Sequence, residues 1–343
     1  GQLLAQNERR SAVGSIPAFV PLPPAVPAAV PSEPRAEAPR RTNLIARLLQ
    51  LRDGERPPRL SGAQVEGYLK ENRRNAASLL TAYRVSEDPA MLLEAMQKYP
   101  GDPQVSFAAI FKKDASPEER RRALESFKQS DPRNALANYL SCLDYFKAGQ
   151  TDQAVQELNA AAGKSTFQDY SRDFVQNDEE AWRAAGYSVA EAKTAAAYLM
   201  SLPHLSELKQ VGQATLTLAG SYRQAGDETS AQAALQAGLN LGQRLDNSPG
   251  LPLVSHLRGL TIEKQSLGAM DPNSAYGSLG QTVKDRLDEL NQQRQELKEL
   301  MQQFEGVQRK LSERDWISYK DRWNAFGEEA ALRWVVGKYS VPR

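Results

Sequence analysis

An all-α protein built from helical hairpins is what this sequence predicts, and three observations carry the prediction. From Leu60 onward Ala, Leu, Gln, Glu, Lys and Arg dominate, all strong helix formers. Runs of β-branched residues are nearly missing, so no sheet is expected. Asp88-Pro89, Asp102-Pro103, Ser116-Pro117 and Asp131-Pro132 each set a capping side chain before a proline, an arrangement that starts helices. Helices of about 10 to 15 residues with short breaks between them pair into antiparallel hairpins.

The N-terminal part reads differently. Ten of the 20 prolines lie between Pro17 and Pro58, and residues 17–39 read PAFVPLPPAVPAAVPSEPRAEAP. Such spacing forbids a helix and removes ladder donors, so residues 1–59 are expected to be extended or disordered. They read as a tether, or as a ligand for a proline-recognising groove. Leu3 and Leu4 follow the start at Gly1, so a removed leader or anchor ahead of it is expected, with an envelope location and a cytoplasmic alternative. Residues 40–50 (RRTNLIARLLQ) form a short amphipathic patch within this segment.

Residues 60–270 carry the hairpins. Ser61 caps a helix with Val65, Tyr68 and Leu69 on one face, and Asn75 caps one with Leu79, Leu80 and Tyr83. A repeat can then be counted. When Gly149 is set over Gly226, Tyr145 matches Tyr222, Cys142 matches Ala219, Ala154 matches Ala231 and Leu158 matches Leu235. Small residues allow close helix approach, and each glycine supplies the left-handed residue that ends a first helix. This pattern resembles the tetratricopeptide repeat over about residues 133–245, with fainter echoes over 85–132. Asn138 and Thr215 replace its leading aromatic, and Thr166 and Gln243 replace its closing proline. The resemblance implies a solenoid of helical hairpins with a partner-binding surface on the first helix of each hairpin. Asn138, Ser141, Thr215 and Arg223 are the partner-binding residues it suggests.

The two glycines are 77 residues apart, more than two periods of about 34. An irregular insert over 164–203 accounts for the excess. Its Phe167, Tyr170, Phe174, Trp182 and Tyr187 form either a ligand-binding lip or the filling of a bend in the stack. Ser188 and Glu191 read as a capping box.

Residues 271–343 hold a long helix and an aromatic segment. Val283, Leu287, Leu290, Leu297, Met301, Phe304 and Leu311 follow alternating spacings of four and three. They form a seam for homo-oligomerisation, for a partner helix, or for packing on the protein's own hairpins; Arg294, expected in the seam, breaks it. From Ser312 one further helix is expected, carrying Trp316, Tyr319, Trp323, Phe326, Trp334 and Tyr339. It serves as a terminal cap or an aromatic docking patch.

Composition excludes several functions. Lys and Arg number 43 against 42 Asp and Glu, so no global field favours nucleic acid or an acidic membrane. One cysteine and two histidines leave no disulfide framework and no thiolate-rich metal site. No phosphate loop, HExxH, GxSxG or CxxC occurs, and Cys142 occupies a small-residue packing position. No catalytic residue, metal ligand or cofactor is therefore expected. The sequence is read as a non-enzymatic scaffold binding a segment of a partner protein. The alternatives are a structural subunit of an envelope or extracellular assembly and, further off, a carbohydrate-active enzyme. Membrane contact is expected only through an anchor ahead of Gly1.

Overall fold

The computed structural model describes residues 58–340, apart from 249, 278 and 279. The proline-rich tether and the 40–50 patch lie outside these residues. Among them the protein is all-α, with fifteen α-helices and one two-stranded hairpin. The first seven helices are α1 Gly62–Glu71, α2 Ala76–Ser86, α3 Pro89–Lys98, α4 Pro103–Ile110, α5 Pro117–Ser130, α6 Leu136–Lys147 and α7 Thr151–Ala162. Then follow α8 Ser171–Ala184, α9 Val189–Tyr198, α10 His204–Gln224, α11 Glu228–Asn247 and α12 Leu253–Gly268. The last three are α13 Val283–Val307, α14 Glu313–Phe326 and α15 Glu328–Tyr339.

Local chemistry sets the helix starts. Asp88 and Asp102 accept backbone N–H groups ahead of Pro89 and Pro103, and Ser61, Ser116, Ser188 and Thr282 form reciprocal capping boxes. At the Ser188 box, the Glu191 N–H donates to Ser188 Oγ at 3.3 Å and the Ser188 N–H donates to the Glu191 carboxylate at 3.0 Å. Ser188→Ala removes one of these bonds and is expected to cost about 1 kcal/mol. Thermal unfolding of the variant measures the loss, and an unchanged midpoint would contradict it. Gly149 and Gly226 adopt φ of +71° and +78°. At both turns the residue after the glycine donates to the tyrosine carbonyl, Gln150 to Tyr145 and Asp227 to Tyr222, each at 2.9 Å.

Packing pairs α2 with α3, α4 with α5, α6 with α7, α8 with α9, and α10 with α11. Order in space departs from order in sequence at α8, which packs back on α1 and α2, and at α10, which packs on α6. The insert aromatics are what make the return possible. Phe167 and Trp182 are buried, and partly buried Phe174 joins the core around Phe107, Phe127 and Tyr139 to the core around Leu69, Leu79 and Trp182. Arg84 clamps the joint: its guanidinium holds the Asp178 carboxylate at 2.6 Å and lies 4.3 Å from the Phe174 ring centre. Phe174 and Trp182 fill core, while Phe167 and Tyr170 also border surface clefts.

Two expectations about the C-terminal region change. A small sheet exists after all, with Ala275–Tyr276 antiparallel to Gln281–Thr282. The aromatic segment is two helices, because Gly327 at φ +90° turns the chain between α14 and α15. α13 packs on α12 and α15, and Val283, Leu290 and Leu297 are buried there with Tyr319, Leu332 and Val335. Arg294 is exposed, so the charged and amide face of α13 points away from this core.

Candidate functional site

The site grows out of an extended stretch between α7 and α8. Thr166 pairs in parallel with the segment before α6: its N–H donates to the Arg133 carbonyl at 3.1 Å, and the Ala135 N–H donates to the Thr166 carbonyl at 2.9 Å. Asn134, 1% exposed, locks the stretch by accepting the Gln168 N–H at 3.1 Å and donating to the Gln168 carbonyl at 2.9 Å. Arg244 of α11 holds its other end, donating to the carbonyls of Ala161, Ala162 and Lys164 at 3.1, 3.0 and 2.6 Å. Ala161 and Ala162 close the last turn of α7, so Arg244 acts as a side-chain cap for that helix.

Alternate residues of an extended chain turn their backbone groups to opposite sides. Thr166 spends its pair on the segment before α6. The backbone N–H and C=O groups of Ser165 and Phe167 have no hydrogen-bond partner among the described residues. This open edge borders a groove of about 580 Å³ whose far wall is α11. Asn240, Gln243 and Asn247 face it, at spacings of three and four that put them on one side of the helix. Their amides are partly committed. Asn240 accepts from Gln236 at 2.8 Å, Gln243 donates to the Tyr276 hydroxyl at 2.7 Å, and Asn247 donates to the Gln243 carbonyl at 2.9 Å. The Asn240 amide N–H groups and the side-chain oxygens of Gln243 and Asn247 remain for a ligand. Among the described residues Arg244 is the only charged one in the wall. A groove of amides and hydroxyls beside an unpaired strand edge suits the main chain of an extended polypeptide.

Comparison with protein-family models, curated proteins and solved structures finds no match.

The sequence-predicted partner residues do not line the groove. Asn138, Ser141 and Thr215 are 5%, 3% and 0% exposed. Asn138 is turned toward α7, and Thr215 lies against α11 at Gly238. Asn138 donates to Glu157 at 2.7 Å, and Thr215 donates to the Gly212 carbonyl at 2.8 Å. Arg223 is exposed and pairs with Glu228 at 3.2 Å. In the α13 seam, Val283, Leu290 and Leu297 are consumed within the chain, Leu287, Phe304 and Leu311 are half-buried, and Met301 is exposed. The groove residues carried one sequence signal, the amide spacing along α11; the partner wall, some 75 positions earlier, carried none.

The remaining polar clusters are joints. Ser171 Oγ donates to Asp169 at 2.7 Å, and His204 Nε2 lies 3.1 Å from the other Asp169 oxygen. With the carboxylate in the middle, the imidazole does not touch the hydroxyl, so the order of groups differs from a serine–histidine–carboxylate triad. Burial pushes the Cys142 thiol up, away from the thiolate. Two arginines are paired as well: Arg120 holds Asp144 and Glu207, and Arg74 holds Glu66 and Glu94. Among the described residues no group of His, Cys, Asp and Glu is arranged to hold a metal, and no helix is long and apolar enough to cross a membrane.

Proposed function

We propose that this chain is a non-enzymatic interaction scaffold, a tetratricopeptide-like α-solenoid in character, that binds an extended segment of a partner protein between α7 and α11. The observation that carries the reading is that Ser165 and Phe167, whose backbone groups have no partner among the described residues, line one groove with the amides of α11. An incoming strand satisfies that edge, and each new backbone bond contributes about 1 kcal/mol. Asn240 and Asn247 then hold the far side of its main chain. Walls in which amides outnumber the single charge, on Arg244, make this recognition of backbone more than of side-chain charge. Pinning by Asn134 and Arg244 lowers the ordering cost of binding.

Selection from a random peptide display library on the full chain supplies the test. Selected peptides are expected to weaken about tenfold on an Asn240→Ala, Asn247→Ala double variant, from the loss of two main-chain contacts. Both side chains reach the surface, so the variant keeps its unfolding midpoint. Equal binding by both proteins would sink the assignment.

A further inference from the structure

The groove between α7 and α11 does not stop at Phe167. Phe167 and Gln168 also line a smaller hollow of about 240 Å³, which runs past Tyr170 to Arg172, Gly250 and Leu251. Ser171, Arg172, Gly250 and Leu251 in turn line a third space, of about 370 Å³, bordered by α14 and α15. Hollows that share wall residues adjoin, so one track leads from the open edge at Phe167, past the start of α8, to the C-terminal helices. Its middle is polar and held by local bonds. Asp169 accepts the Ser171 N–H at 3.0 Å and the Ser171 hydroxyl at 2.7 Å, and the Tyr170 hydroxyl donates to Asp131 at 2.6 Å. Gly250, at φ +85°, puts no side chain into the passage; a Cβ there would touch the Arg172 side chain at 3.8 Å.

The far space is different in character. Val175, Met200, Leu251, Pro252, Trp323 and Phe326 give it apolar walls. The charges that reach it each have a partner: Glu329 pairs with Arg333 at 2.7 Å, Glu328 accepts the Leu253 N–H at 2.8 Å, and Arg172 donates to the Asn324 carbonyl. Phe326 is 70% exposed, more than any other large apolar side chain among the described residues. A ring left in water at the mouth of an apolar space gains from an apolar group that covers it.

We infer that the partner segment bound between α7 and α11 continues along this track and seats one large apolar side chain in the space walled by Trp323 and Phe326. This continuation presupposes the strand in the α7–α11 groove and supplies what that groove lacks. Amides and a backbone edge bind main chain and accept almost any sequence; the apolar space selects one side chain, and so gives the scaffold its choice of partner. Volume sets the class of residue. About 370 Å³ lies at the lower end of spaces that hold small ligands, enough for one ring side chain and too narrow for a helix about 10 Å across. A charged residue would lose its water there without gaining a free partner. An extended segment advances about 3.3 Å per residue, so the apolar residue stands at one fixed offset from the strand.

Peptides selected from a random display library on the full chain provide the test. They are aligned, then titrated against the native chain, a Phe326→Ser variant and the Asn240→Ala, Asn247→Ala double variant. The selected peptides are expected to share a large apolar residue at one constant offset. Changing that residue to alanine is expected to weaken binding about tenfold on the native chain and only about threefold on Phe326→Ser, because the two side chains share a contact. Phe326 is exposed, so its variant keeps the native unfolding midpoint. An equal alanine cost on both proteins, or peptides without a constant apolar position, would overturn the inference; the groove reading then stands if the Asn240→Ala, Asn247→Ala variant still binds more weakly. Coupling to Phe326 with undiminished binding by that double variant would overturn the groove reading, and with it the continuous track.

Discussion

Replacing Lys320 by methionine is expected to stabilise the protein at pH 7 by about 2–3 kcal/mol, an unusual sign for a change in a buried position. The ammonium sits among aromatic rings without an ion pair, and three rings return only part of the hydration energy it loses there. Methionine has nearly the same length and packs well against aromatic rings. The pH dependence follows from linkage. Lys320 titrates near 7 in the folded chain and at its ordinary 10.5 once unfolded, so between these values the unfolded state binds the extra proton. Stability of the native chain therefore rises from pH 7 to 10.5, and its deficit is full below 7. The gap between Lys320→Met and the native chain is greatest at pH 6 to 7 and closes towards pH 10. Chemical denaturation at pH 6.5 and pH 9.5 measures it. A variant less stable than the native chain at pH 6.5 would show that the aromatic cage stabilises the ammonium outright.

Gly259→Ala is expected to destabilise the protein by about 2–4 kcal/mol, against a helix-propensity gain of roughly 1 kcal/mol that the same change yields in open space. α11 and α12 cross with their backbones in contact at Gly242 and Gly259. A Cβ on Gly259 would lie 2.6 Å from the Gly242 carbonyl oxygen and 2.7 Å from the Asp246 nitrogen. These are backbone atoms, so no rotamer change relieves the clash and the helices must separate. Gly220→Ala in α10 is the control: nothing lies within 4 Å of its added Cβ, and that variant is expected to gain about 0.5–1 kcal/mol. Loss of stability in both variants, or in neither, would refute the close-approach argument.

What could be read in the sequence is what depends on neighbours along the chain. The Asp-Pro and Ser-Pro starts, the Ser188 box and the left-handed glycines at 149 and 226 are local devices, and each stands where its spacing put it. Long-range contacts were hidden. Nothing in NYLSCLDYF says that α6 will meet α10, and the burial of Asn138, Ser141 and Thr215 rests on packing between helices that no local spacing encodes. The return of α8 to α1 and α2 was hidden for the same reason. Gly327 was visible but sat inside an apolar rhythm that runs on through α15, so periodicity outvoted it. Of the candidate groove, the α11 amides were legible as a spacing. The open edge at Ser165 and Phe167 was not, because it exists only once Thr166 has paired with residues more than 30 positions away.

Amide hydrogen exchange of Ser165 and Phe167, with and without a display-selected peptide, tests the central claim most directly. A peptide lying as a strand between α7 and α11 engages the backbone edge of both residues. Slowing of exchange at these two amides, with helix amides in α1 to α5 unchanged, is the expected result. A peptide that binds yet leaves Ser165 and Phe167 exchanging at their free rates would contradict it, and would place recognition on another face of the molecule.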